Sequence, residues 1–132
     1  MARVTVVNDT PDFLDLVHDI LEGEQYETTA IDGDRDDAFE LVRSSRPDLL
    51  MIDLRLGGVG LSGWEIAQRV RAEADFAGLP VIVCSADLQA MSELQEDLAD
   101  TRHVATLTKP FEIQELTDTI DRLLSEAVSG KF

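Results

Sequence analysis

The sequence predicts one α/β domain built on a parallel sheet with helices on both faces. Three observations predict it. Five short apolar runs alternate with five helix-like segments, the pattern left by right-handed crossovers between parallel strands. The central run, Leu49-Leu50-Met51-Ile52, is continuously apolar, as a strand covered on both faces must be. The 132 residues, 44% apolar and 29% charged, suit one compact domain and leave little for a second.

The elements follow in order. Val4-Thr5-Val6-Val7 is rich in β-branched residues and is closed by Asn8-Asp9-Thr10-Pro11, so it reads as a first strand. Thr10 then Pro11 is a helix start, with a hydroxyl to cap free N–H groups and a proline whose missing donor costs nothing there. Phe13, Leu14, Leu16, Val17, Ile20 and Leu21 keep helical spacing up to Gly23. Tyr26–Ile31 is the second strand, turning at Asp32-Gly33, and a second helix is predicted from about Asp34 to Ser45, before Pro47. The third strand ends in Asp53, and a glycine-rich loop from Gly57 to Gly63 leads to a helix carrying Trp64, Ala67, Val70 and Ala74. Pro80 introduces a fourth strand, Val81–Cys84, ending at Ser85-Ala86. Leu88, Met91, Leu94 and Leu98 mark the fourth helix, and Val104–Thr108 is a fifth strand running into Lys109-Pro110. Ile113, Leu116, Ile120, Leu123, Leu124 and Ala127 keep one register in the closing helix.

Composition excludes several classes of function. Asp and Glu number 27 against 11 Lys and Arg, a formal charge of −16. Binding polyphosphate needs basic side chains to displace counterions, so direct binding of DNA or RNA is not expected, nor is adsorption to an anionic membrane. A basic protein partner or a bound cation suits this charge. No apolar run approaches the roughly 20 residues of a membrane span, and the N-terminus carries no signal-peptide pattern. The one cysteine, Cys84, has no partner for an internal disulfide. A cytoplasmic domain is expected.

In sheets of this kind ligands bind beyond the carboxyl ends of the strands. There the sequence places Asn8-Asp9, Asp53, Ser85 and Lys109: two carboxylates, a carboxamide, a hydroxyl and an ammonium. Clustered carboxylates call for a hard cation, and Mg²⁺ prefers few carboxylates plus water and phosphate oxygens. Lys109 and Ser85 complement a phosphoryl group, and a carboxylate is itself a nucleophile able to form an acyl phosphate.

Val6-Val7-Asn8-Asp9, Pro47-Asp48 through Asp53, Val83-Cys84-Ser85-Ala86 and Thr108-Lys109-Pro110-Phe111 resemble the motifs of a response-regulator receiver domain over essentially the whole chain. Asp9, Asp53, Ser85 and Lys109 are separated by 44, 32 and 24 residues, which suits one βαβαβ frame. The resemblance implies a (βα)5 flavodoxin-like fold with strand order 2-1-3-4-5, a receiver over residues 1–128 and a tail over 129–132. It implies Mg²⁺-dependent transfer of phosphate from a histidine kinase, a phosphotransfer protein or a small phosphodonor onto Asp53. Asp9, Asp53 and the backbone carbonyl of Arg55 are then the metal ligands, with Asn8 acting through a water. Lys109, the Ser85 hydroxyl and the Ala86 amide take phosphoryl oxygens. Such a receiver phosphorylates and dephosphorylates itself and is not a conventional enzyme. Its output is expected through contacts with a downstream protein, or through a module outside this sequence.

The sequence also departs from the family pattern. Asn8 stands where a second acid is usual, which predicts weaker Mg²⁺ binding. The loop after Asp53 lacks the customary proline after Leu56, and Gly63 comes ten residues on. Thr106 stands where an aromatic usually swings inward, so output is expected through backbone shifts or as a phosphate relay. Arg55 and Asp87, each two residues beyond Asp53 and Ser85, are expected to pair over the site and slow hydrolysis. The alternative is a degenerate receiver, a phosphate-independent interaction module. A remoter one, a nucleotide-binding flavodoxin-like module, rests on the formal Gly58-x-Gly60-x-x-Gly63 match, which reads better as a flexible turn. His18, among Asp15, Asp19 and Glu22, reads as part of a solvated helix face, and the runs 34–37 and 93–100 as solubilising faces.

Overall fold

A computed structural model describes residues 2–54, 62–98 and 101–129. The elements are β1 (Arg3–Asn8), α1 (Pro11–Gly23), β2 (Glu27–Asp32), α2 (Ala38–Ser45), β3 (Leu49–Asp53), α3 (Gly63–Arg71), β4 (Val81–Ser85), α4 (Leu88–Asp97), β5 (Val104–Thr108) and α5 (Ile113–Ser129). The strands form one parallel sheet in the order β2-β1-β3-β4-β5. This is the expected doubly wound order, with its reversal between β1 and β3.

Strand periodicity divides the core in two. Successive side chains point to opposite faces, so Leu50 and Ile52 of β3 pack with Val42 of α2 and Ile66 and Val70 of α3. Leu49 and Met51 pack on the other face with Val17 and Leu21 of α1 and Leu116, Ile120 and Leu123 of α5. Every residue of β3 and β4 is buried, which accounts for their unbroken apolar sequences. The same alternation aims Asp53, two residues beyond Met51, toward the face covered by α1 and α5.

Local chemistry moves two expected helix boundaries. The predicted second helix starts at Ala38 instead of Asp34. Asp32 Oδ1 accepts the Asp34 N–H at 2.9 Å, and Arg35 pairs with Asp37 at 2.8 Å. Short acidic side chains thus offer the backbone a turn in place of the first helical turn. Arg46, left-handed at φ 48°, ends α2 ahead of Pro47. Thr10 is the N-cap of α1, yet its hydroxyl makes no capping bond; Pro11 supplies the start. Ala74 falls outside α3, in a short 3-10 turn (Ala74–Phe76) after Glu73 takes extended backbone. Among the described residues, no helix is long and apolar enough to cross a membrane.

Candidate functional site

The carboxyl edge of the sheet gathers the polar residues. Asn8, Asp53 and Ser85 end β1, β3 and β4, and each is buried. The register sets Val7 beside Ile52 and Asp53 beside Cys84, so the three strand ends lie side by side. Lys109 follows β5, and its N–H donates to the Ser85 carbonyl at 2.9 Å. The Lys109–Pro110 peptide is cis.

Asp53 is the centre of this group. Its Oδ2 accepts from Lys109 Nζ at 2.6 Å and from Asn8 Nδ2 at 3.0 Å. The side chains of Lys109 and Asp53 are only 21% and 10% exposed, so the pair is poorly screened by water and strongly directional. The Asn8 carboxamide oxygen accepts the Thr10 N–H at 2.8 Å. That bond fixes the amide orientation: the donor end faces Asp53 and the oxygen faces the backbone. Asn8, expected to reach the metal through a water, thus presents its Nδ2 to Asp53 and its oxygen to the Thr10 N–H.

Ser85 Oγ accepts the Asp87 N–H at 3.0 Å, and Asp87 Oδ1 accepts the Ala90 N–H at 3.0 Å as the cap of α4. Ser85 and the start of α4 are therefore mechanically joined. Ala86, between them, is exposed. Arg55, both as carbonyl ligand and as partner of Asp87, lies outside the described residues, as do Gly58 and Gly60. Thr106 lies on β5, where its Oγ1 accepts from Gln95 Nε2 of α4 at 3.4 Å. Cys84, 1% exposed, is a core residue as expected, and burial pushes its thiol up to about 12 against the opposing pull of Lys109.

Two residues near the site were not singled out for it by their local sequence. Gly63 opens α3, and a Cβ built on it would lie 1.9 Å from the Asp53 carbonyl oxygen. Its N–H also donates to the Leu54 carbonyl at 3.1 Å. The glycine of the apparent nucleotide motif is there to let α3 approach the backbone of Asp53. Phe13, expected only as an apolar position of α1, lies under Lys109, whose Nζ is 4.1 Å from the ring centroid. The only general signal for it is an aromatic in the first turn of a helix that starts at the carboxyl edge.

A groove of about 400 Å³ runs from Lys109 between α1 and the β5–α5 connection, lined by Phe13, Leu16, Ile20, Phe111 and Ile113 among others. Leu16 and Ile113 are each 57% exposed. His18 is half-exposed beside Glu22 at 3.4 Å, in keeping with a solvated face.

Among the described residues, no three His, Cys, Asp or Glu side chains are grouped as a metal cage. Among the described residues, hard oxygen donors at the edge include the carboxylates of Asp53, which ends β3, and of Asp9, the residue after β1. That donor set fits Mg²⁺, which uses one or two carboxylates and keeps much of its water.

The chain matches the response regulator receiver domain family over residues 4–121. It is 33% identical over 128 residues to the sensor histidine kinase TmoS of Ectopseudomonas mendocina, covering 97% of this chain and 12% of that protein. It is 33% identical over 127 residues to the DNA-binding dual master transcriptional regulator RpaA of Synechocystis, covering 94% and 49%. The chain thus spans half or less of these relatives. Among solved structures, the receiver domain of a Pseudomonas aeruginosa PAO1 sensor histidine kinase, described with a magnesium ion in its active-site cleft, superposes with a TM-score of 0.77 at 26% identity over 94% of this chain and 98% of that one.

Proposed function

The chain belongs to the response regulator receiver domain family, and from that premise we propose that Asp53 is a phosphoacceptor. The observation that carries this is the Asp53 carboxylate, nearly buried at the carboxyl edge and held at 2.6 Å by the Lys109 ammonium. A carboxylate so placed is oriented for in-line attack on phosphorus.

In the proposed reaction one Asp53 oxygen bonds to the phosphorus of a phosphohistidine as the P–N bond breaks, its electron pair returning to the imidazole. With acetyl phosphate the P–O bond breaks and acetate leaves. Asp9 and Asp53 would hold Mg²⁺, which would supply the positive charge that lets two anions approach. Lys109 moves from the carboxylate to a phosphoryl oxygen, keeping its charge where negative charge accumulates. The Ser85 hydroxyl and the Ala86 N–H take further oxygens. When the Ser85 hydroxyl turns toward the phosphoryl group it gives up the Asp87 N–H, which disturbs the cap of α4 and so carries the signal to the surface.

The phosphodonor is a histidine kinase or phosphotransfer protein, which must cover the rim around Asp53; the apolar groove beside Lys109 offers it a docking face. The reader is a downstream protein sensitive to the position of α4. The receiver acts on its own aspartate, without turnover of a separate substrate, and works in the cytoplasm.

Intact mass after incubation with acetyl phosphate, with and without Mg²⁺, tests the proposal on wild type and Asp53→Asn. The expected result is a metal-dependent gain of one phosphoryl group, lost in the variant. No gain at high Mg²⁺ would overturn it in favour of a phosphate-independent interaction module.

A further inference from the structure

Lys109 must serve two partners in the proposed reaction, first the Asp53 carboxylate and then a phosphoryl oxygen. Its ammonium rides on a flexible four-carbon stem, so something must restrict where it goes. The Asp53 bond at 2.6 Å cannot do so throughout, because it has to loosen as the phosphoryl group arrives.

We propose that Phe13 is a positioning residue for phosphoryl transfer, the face of its ring holding the Lys109 ammonium over Asp53. The geometry supports this on two counts. Lys109 Nζ lies 4.1 Å from the ring centroid, within the range where the negative face of an aromatic ring attracts a cation. The ring is itself set by Phe111, at 6.2 Å between centroids and 85° between planes, an edge-to-face arrangement that opposes tilting. Phe13 and Phe111 both pack at the margin of the core beneath α1 and α5, so the wall is anchored on both sides.

A ring face attracts the ammonium without accepting a directed hydrogen bond. It therefore leaves the N–H groups free to exchange carboxylate for phosphoryl oxygen, while keeping water off one side of the ion. A hydrogen-bonding partner in that place would compete with both.

The inference rests on the phosphoacceptor reading, and the test separates the two. The chain has only two lysines, Lys109 and Lys131, so lysine-labelled protein gives two side-chain spin systems. In unphosphorylated wild type the Lys109 ε-methylene protons are expected upfield through the ring current. Phe13→Tyr keeps that shift, and Phe13→Leu abolishes it. The phosphorylation rate with acetyl phosphate at saturating Mg²⁺ is expected to fall about fivefold in Phe13→Leu and to stay near wild type in Phe13→Tyr.

A Lys109 signal unmoved by Phe13→Leu overturns the inference, as does a moved signal with an unchanged rate. An equal loss of rate in Phe13→Tyr assigns Phe13 to packing alone and overturns it too. Wild type that takes up no phosphoryl group overturns the phosphoacceptor reading, and this inference falls with it.

Discussion

A side chain at position 63 has no room, because its Cβ would sit 1.9 Å from the Asp53 carbonyl oxygen. That oxygen belongs to rigid backbone at the end of a fully buried strand, so relief requires α3 or β3 to move. Gly63→Ala should cost about 1–3 kcal/mol in urea unfolding, the usual range for overpacking, and should slow phosphoryl uptake by shifting Asp53; wild-type stability would overturn the account. Asn8 is the complementary case, where the residue eases the site. Its Nδ2 donates to Asp53 Oδ2 at 3.0 Å, and an acid in its place would set two carboxylates together. Asn8→Asp should therefore lower metal-free thermal stability and raise Mg²⁺ affinity roughly tenfold or more, read by titration of Trp64 fluorescence. Unchanged affinity would contradict it.

At the scale of elements, ties between distant segments hold the layers in place. The phenol of Tyr26, just before β2, donates to Asp121 of α5, joining an edge strand to the last helix. Burial first, then this hydrogen bond and the Asp121 charge, push the Tyr26 phenol up to about 12 from its ordinary 10.0. In the unfolded chain the phenol ionises near 10, so the folded state holds the proton more tightly. The stabilisation is complete below about pH 10 and is lost as pH rises toward 12. Wild type should thus lose stability between pH 10 and 12 more steeply than Tyr26→Phe in denaturant melts; equal slopes would remove the tie. The β4–α4 junction is held by local bonds instead, with Ser85 and Asp87 each accepting a backbone N–H two or three residues on. The sequence had assigned Asp87 to the site; in the structure its carboxylate also caps a helix, two roles that residue type alone does not separate.

Across the whole molecule the formal charge is −16, while among the described residues the carboxyl edge holds Lys109 in a shielded place. This acidic surface suits a donor or target presenting a basic face. The strand order, the buried third and fourth strands and the positions of Asn8, Asp53, Ser85 and Lys109 at the carboxyl edge were legible in advance. The strand order followed from the family resemblance; the strands themselves and the edge residues rest on local signals: period, β-branching, or a polar residue closing an apolar run. The start of α2 was not legible to better than four residues, because Asp32 takes the Asp34 N–H and Asp37 pairs with Arg35, contacts no period encodes. The missing hydroxyl cap at Thr10 is of the same kind, since Pro11 satisfies the helix start alone.

By itself, then, the sequence determined which segments are strands and helices, and which side chains stand at the edge where a ligand binds. Local patterning encodes a face and a period, and the handedness of parallel crossovers does the rest. The tertiary structure decided which atoms meet: the Asn8 amide turned toward Asp53, Gly63 against the Asp53 carbonyl, and Phe13 beneath Lys109. Those contacts join residues far apart in the chain, and they depend on how helices seat against the sheet, which packing settles only after the elements have formed.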